Sequence, residues 1–187
     1  GILARDLRDS GIASLVTSDP APGFLAGLTG PRLVAEAEAL PFASASFDLV
    51  LSNLALHWVN DLPGALLQLR QALKPDGLLL VSLFAGETLN ELRLCLLAAE
   101  SEHENGASPR VAPFADPREL AGLLQRAGFA LPVVDTDRIE ATYSDALSLM
   151  RDLRAMGETN AVAARRRNFT RRATLLRAAE LYQARYA

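Results

Sequence analysis

The sequence predicts an α/β fold built on a largely parallel sheet, and three observations carry that prediction. Short apolar runs at 14–18, 33–35, 47–51 and 78–83 read as strands. Segments with helical spacing lie between and after them, so strand and helix alternate along the chain. Polar residues stand where the first strands leave the sheet: Asp19, then Glu36, then Ser52 and Asn53. In open α/β sheets that is the end at which ligands bind.

Taken in order, residues 2–8 read as the body of a helix and 14–18 as a strand ending at Asp19. A short helix over 21–28 leads to the strand at 33–35. The run Phe47-Asp48-Leu49-Val50-Leu51 carries one acid among apolar residues, the pattern of a strand covered on both faces. Residues 61–73 place Leu62, Ala65, Leu66, Leu69, Ala72 and Leu73 on one helical face, and Lys74-Pro75-Asp76-Gly77 stops that helix and turns the chain. The 78–83 run then returns as a fully buried strand. A helix over 88–104 carries Leu89, Leu92, Leu96 and Ala99 on one stripe. Asp116 caps the next helix, with Pro117 at its first position and Gly128 closing it. A further strand is expected over 131–139, followed by helices over 144–156, stopped by Gly157, and 171–186. With no repeat, low-complexity segment or linker, residues 1–187 read as a single domain with helical additions at about 86–127 and 144–187. The loops 105–115 and 157–170 are its mobile parts.

Composition narrows the function. A chain of 187 residues, half of them hydrophobic, has enough material for one sizeable core. Its apolar runs are too short to span a bilayer. A net charge of −3 gives no general attraction to nucleic acid; the cluster Arg165, Arg166, Arg167, Arg171 and Arg172 is a local exception that reads as a solvated helix entry. Cys95, the single cysteine, sits among Leu94, Leu96 and Leu97 as a helical core thiol, which fits a reducing compartment. His57 and His103 lack ligand-spaced partners, so no metal site is expected.

The stretch from Glu36 to Trp58 reads Glu-Ala-Glu-Ala-Leu-Pro-Phe, then Phe-Asp-Leu-Val, then a His-bearing segment. It resembles the middle of the class I S-adenosylmethionine-dependent methyltransferases. The resemblance implies a Rossmann-like three-layer α/β/α sandwich with S-adenosylmethionine as cofactor. It implies that Gly1 is the last glycine of the turn after the first strand, and that Asp19 grips the ribose hydroxyls; read without it, Asp19 equally caps the helix that follows. It also implies that Glu36 accepts a hydrogen bond from the adenine amino group, that the Ala37 backbone touches the ring, and that Asn53 and Leu54 contact the methionine end. Glu38 reads as a solvated loop residue. Phe47 and Trp58 read as packing residues of the pocket wall. His57 is either a general base or a residue with a structural or substrate-orienting role.

A narrower resemblance runs through Leu56-His57-Trp58-Val59-Asn60-Asp61-Leu62-Pro63, Glu87-Thr88-Leu89-Asn90-Glu91-Leu92-Arg93, Ser108-Pro109-Arg110-Val111-Ala112-Pro113-Phe114 and the segment from Asp152 to Asn160. These look like the mitochondrial complex I assembly factors of methyltransferase fold and their bacterial relatives; the methyltransferases that esterify the malonyl carrier protein in biotin synthesis share a looser version. Two chemistries are implied, carboxyl O-methylation and hydroxylation of an arginine on a complex I subunit, each with a protein as acceptor. A cytoplasmic location in a bacterium, or a mitochondrial-matrix one in a eukaryote, goes with them. His57, Trp58 and Arg93 are expected to line the acceptor side, although Arg93 and Glu91 equally suit an exposed helix surface. In that family the first strand lies between the second and fourth, and Gly1 stands just after its place. The resemblance therefore implies an apolar strand upstream of Gly1, an antiparallel edge strand after Ala187, and no direct pairing of 14–18 with 47–51.

Overall fold

The computed structural model describes residues 2–104 and 106–186. In chain order the elements are α1 (Ile2–Asp6), β1 (Thr17–Asp19), α2 (Pro22–Leu25), β2 (Arg32–Val34), β3 (Phe47–Asn53), α3 (Leu62–Ala72), β4 (Leu73–Ser82), α4 (Asn90–His103), α5 (Pro117–Arg126), α6 (Ala146–Met156) and α7 (Arg172–Tyr186), with single 3-10 turns at Leu7–Ser10 and Leu56–Trp58. Their contacts divide the chain into two compact units, residues 1–83 with 121–133, and residues 84–120 with 134–187.

In the first unit β1 pairs with β2 in parallel, Thr17 opposite Arg32 and Asp19 opposite Val34. Strand β3 pairs with β4, also in parallel, from Leu49 opposite Leu78 to Asn53 opposite Ser82. Among the described residues β1 and β3 are not paired with each other, as a strand order that separates them requires. Between the pairs Phe47–Leu73 and Leu49–Leu78 the register jumps, and Asp76 takes φ +60° there. This is the expected Lys74–Gly77 turn, drawn into the start of β4 as a bulge.

Side chains alternate across the β3–β4 ribbon. Val50, Leu79 and Val81 face a core made by Leu56, Leu66, Leu69 and Ala127. On the opposite face Leu78 and Leu80 are about half-exposed, at 53% and 50%. The expectation of strands covered on both faces is therefore corrected to one face each. A continuous apolar run has no alternation to say which face is covered, and the covering element is a matter of tertiary structure. Helix α3 forms as its spacing demands, with Ala65, Leu66, Leu69 and Ala72 buried and the Asp61 carboxylate accepting from Gly64 N–H at 2.9 Å. Helix α5 likewise follows its caps. Asp116 Oδ1 accepts from Arg118 N–H, and Gly128, at φ +90°, lets Phe129 N–H reach the Leu124 carbonyl.

In the second unit α4, α6 and α7 pack through Leu92, Cys95, Leu96, Ala99, Leu149, Ala178 and Leu181. Cys95 is fully buried, as expected, and burial pushes its thiol above the ordinary range. Asp145 caps α6 through Ser148 N–H, and Gly157 ends that helix at φ +88°.

Two expectations fail. Residues 131–139 form no strand; Leu131, Val133 and Ile139 are about nine-tenths exposed. A strand exists only with a partner, and none of the described strands lies beside this segment, whose alternation Asp135 and Asp137 also break. The arginine cluster is not simply solvated. Arg166 forms an ion pair with Glu104, and Arg171 donates to the His103 carbonyl. Glu100, with no exposed surface, accepts from Ser108 N–H at 2.8 Å, from the Ser108 hydroxyl at 2.9 Å and from Arg110 Nη2 at 2.8 Å. Asn160 donates to the Pro109 carbonyl, and Arg110 reaches Thr170. The two loops expected to be mobile are thus bonded to each other and to α4.

Candidate functional site

The carboxyl ends of β1, β2, β3 and β4 gather the chemistry-bearing residues of the first unit. Asp19 is the last residue of β1. Its Oδ1 accepts from Ala21 N–H at 2.8 Å, a turn that presents the carboxylate beside the strand end. Helix α2 begins at Pro22 with Ala21 as its N-cap residue and no side-chain cap, so Asp19 shapes the turn ahead of that helix. Among the described residues Asp19 forms no ion pair, and its second oxygen stays outside the turn. Glu36 follows β2 by two residues and is exposed, as its carbonyl turns back to accept from Ala39 N–H. Ala37 is half-buried, packed against the core below β3 and β4. Gly1 lies outside the described residues.

Asn53 and Leu54 mark the exit of β3, which runs two residues further than expected. Leu54 takes φ +48°, a left-handed conformation rare for a residue with a side chain. Its N–H is held twice from the end of β4, by the Ser82 carbonyl at 2.9 Å and the Ser82 hydroxyl at 3.2 Å. The same hydroxyl donates to Asn53 Oδ1 at 2.5 Å. Sequence reading missed Ser82, although its place at the end of the fourth strand was the available signal. The strained turn carries the chain into the Leu56–Trp58 turn, with Leu56 buried and His57 and Trp58 half-buried. The two rings lie 5.5 Å apart, and His57 Nδ1 is shielded from solvent. Phe47 is a packing residue, edge-on to Phe42 at 4.9 Å.

Arg93 belongs to the second unit. It is half-buried rather than exposed on the helix, and Nη2 donates to the carbonyls of Thr88 and Ala112, both at 3.3 Å. Its guanidinium carbon sits 5.9 Å from the centre of the Phe114 ring. These contacts tie the 112–114 loop to the start of α4. Glu38, read as a solvated glutamate, is exposed yet bonded to the amides of Asn60 and Asp61.

Comparison with known proteins bears on this arrangement. Residues 1–81 match the methyltransferase domain family. The chain is 42% identical over 185 residues to the mitochondrial arginine-hydroxylase NDUFAF5 of Danio rerio, covering 99% of this chain and 55% of that protein. Against a malonyl-[acyl-carrier protein] O-methyltransferase of Xylella fastidiosa it is 43% identical over 148 residues, covering 79% of this chain and 48% of the other. The chain has the Rossmann-like fold of the class I methyltransferases. It spans about half the length of the curated relatives it matches. An S-adenosylmethionine-dependent methyltransferase from Mesorhizobium loti shares the fold at a TM-score of 0.51 and 19% identity, over 67% of this chain and 68% of that one. A methyltransferase described as putative, in complex with the Trm112 activator of Haloferax volcanii, shares it at 0.51 and 24%, over 68% and 56%.

S-adenosylmethionine is the cofactor this family implies, and the donor set suits it. Carboxylates accept from a vicinal diol and from an amino group, and those of Asp19 and Glu36 stand at the ends of two adjacent strands. Asn53 and Leu54 are exposed at the end of β3, where the backbone turns at Leu54. Among the described residues no helix is long and apolar enough to cross a membrane.

Proposed function

We propose that the chain is the cofactor-binding part of an S-adenosylmethionine-dependent methyltransferase that modifies a carboxylate of a protein-borne acceptor. The reading is supported by the positions of Asp19 at the carboxyl end of β1, Glu36 just past that of the parallel β2, and Asn53 and Leu54 at that of β3, three residues before His57. The bound cofactor supplies an electrophilic methyl group on sulfur, so the protein needs no nucleophile of its own. Asp19 holds the ribose, Glu36 and the Ala37 backbone the adenine, and Asn53 with the Leu54 backbone the amino-acid end. His57 and Trp58 wall the acceptor side, and His57 orients the acceptor oxygen, since a carboxylate carries no proton to remove. The resemblance to the O-methyltransferase favours a carboxylate.

A second reading is hydroxylation of an arginine on a respiratory-complex subunit. It is favoured by likeness to the arginine-hydroxylase along 99% of the chain, against 79% for the O-methyltransferase. Mass spectrometry separates the two after incubation of the chain and S-adenosylmethionine with malonyl carrier protein and, separately, in air with a two-electron reductant and an arginine-bearing complex I subunit. Addition of one methylene mass to the carrier protein supports the first reading. Addition of one oxygen to the subunit supports the second, and client binding with neither product makes the chain a non-catalytic assembly protein.

A further inference from the structure

We propose that Glu38 and Gln68 are positioning residues that hold the adenine-side loop against the segment carrying His57 and Trp58, fixing the width of the cofactor cleft. The proposal rests on the cofactor reading above and names residues to which that reading gives no role. Glu38 comes two residues after Glu36 and one after Ala37, so its position sets theirs through short, stiff peptide links.

The geometry is a two-sided clamp. Glu38 Oε1 accepts from two consecutive backbone amides, Asn60 N–H at 2.5 Å and Asp61 N–H at 2.7 Å. Both amides lie at the entrance to α3, where the helix end favours a negative charge. From the other side Gln68, two turns into α3, uses both ends of its amide. Its Oε1 accepts from Leu40 N–H at 2.9 Å while its Nε2 donates to the Glu38 carbonyl at 2.8 Å. Only a primary amide supplies an acceptor and a donor in that arrangement; leucine supplies neither, and an ionised glutamate lacks the donor. The amide thus acts as a short strand partner for residues 38–40.

These four bonds span between 22 and 30 positions in sequence. Two of them join the loop after β2 to the segment after β3, and two join it to α3. The two strand pairs share no ladder among the described residues, and Ala37 and Leu40 pack on the core below β3 and β4, so the carboxylate and the amide add directional bonds to that packing and set the distance between the two walls of the cleft. A surface glutamate with only a solvation role would have no need of two strong bonds to backbone.

The test uses the full chain, titrated with S-adenosylmethionine and followed by amide exchange without cofactor. Glu38→Ala and Gln68→Leu should each speed exchange at Leu40, Asn60 or Asp61 and weaken binding by about tenfold, the scale of a small misplacement of binding groups. Thermal midpoints should fall modestly, as lost hydrogen bonds require, and Glu38→Gln, whose amide oxygen still accepts from the two N–H groups, should recover most of the affinity. A role in stability alone would lower the midpoint and leave affinity unchanged in the folded fraction. If the alanine and leucine variants fail to fold, Gln68→Glu decides: it keeps the acceptor for Leu40 and loses the donor, and wild-type affinity in it overturns the proposal. Faster exchange with unchanged affinity overturns the clamp alone. A wild-type chain that takes up no S-adenosylmethionine overturns the cofactor reading and the proposal with it.

Discussion

Replacement of Glu100 by alanine should destabilise the second unit by about 3 kcal/mol, at the lower end of the range for breaking one side of a buried ion pair. The lower end follows from the geometry. Losing the carboxylate strands the Arg110 guanidinium, only 15% exposed, but Glu104 Oε1 stands 3.7 Å from Arg110 Nη2 and remains as a partial partner. Ser108 loses acceptors for both its N–H and its hydroxyl. Glu100→Gln keeps the shape and one acceptor, and should cost about 1–2 kcal/mol. Burial by itself raises the Glu100 carboxyl, but the Ser108 N–H, the Arg110 guanidinium and the Ser108 hydroxyl outweigh it and hold the group below its ordinary value. With a depressed folded pKa the stabilisation is complete above the value in the unfolded chain. It fades as pH falls below that value and is gone once pH passes below the folded one. Glu100→Gln should remove that acid-side slope. All three tyrosines, Tyr143, Tyr182 and Tyr186, lie in the second unit and the single tryptophan, Trp58, in the first. Tyrosine near-UV circular dichroism during urea unfolding therefore reports the affected unit. A loss below about 0.5 kcal/mol in Glu100→Ala, the ordinary scatter of surface substitutions, would refute the reasoning.

Asp19→Ala should weaken S-adenosylmethionine binding by about 1–3 kcal/mol in calorimetry, and Asp19→Asn, which keeps an oxygen for the Ala21 turn, should separate the loss of charge from the loss of the turn. Ser82→Ala removes the hydroxyl that braces Leu54 and Asn53, and should cost about 1 kcal/mol of cofactor affinity by titration. Gly64→Ala should cost about 1 kcal/mol of stability by thermal unfolding, because the added methyl would overlap the Asp61 carboxylate and displace the cap of α3.

Local chemistry was readable from the sequence, and long-range pairing was not. The Asp61 cap, the periodic apolar face of α3 and the Asp116, Pro117 and Gly128 signals of α5 act within a few residues, so each element formed where its residues placed it. The places of Asp19 and Asn53 at strand ends were legible too. What the sequence hid were bonds between residues far apart: Glu38 to Asn60 and Asp61, Gln68 to Leu40, and Glu100 to Arg110. A glutamate in a loop and one in a helix look alike until the fold supplies their donors. The 131–139 segment erred the other way: apolar residues suggested a strand, but strands need neighbours that periodicity cannot supply.

The central claim is that cofactor occupies the carboxyl ends of β1, β2 and β3 in the first unit. Amide hydrogen exchange of the full chain with and without S-adenosylhomocysteine tests it most directly, because the method maps contact without needing an acceptor. The account predicts slowed exchange confined to the segments 19–21, 36–40 and 53–58. Protection that falls elsewhere, or no change at saturating ligand, would contradict it.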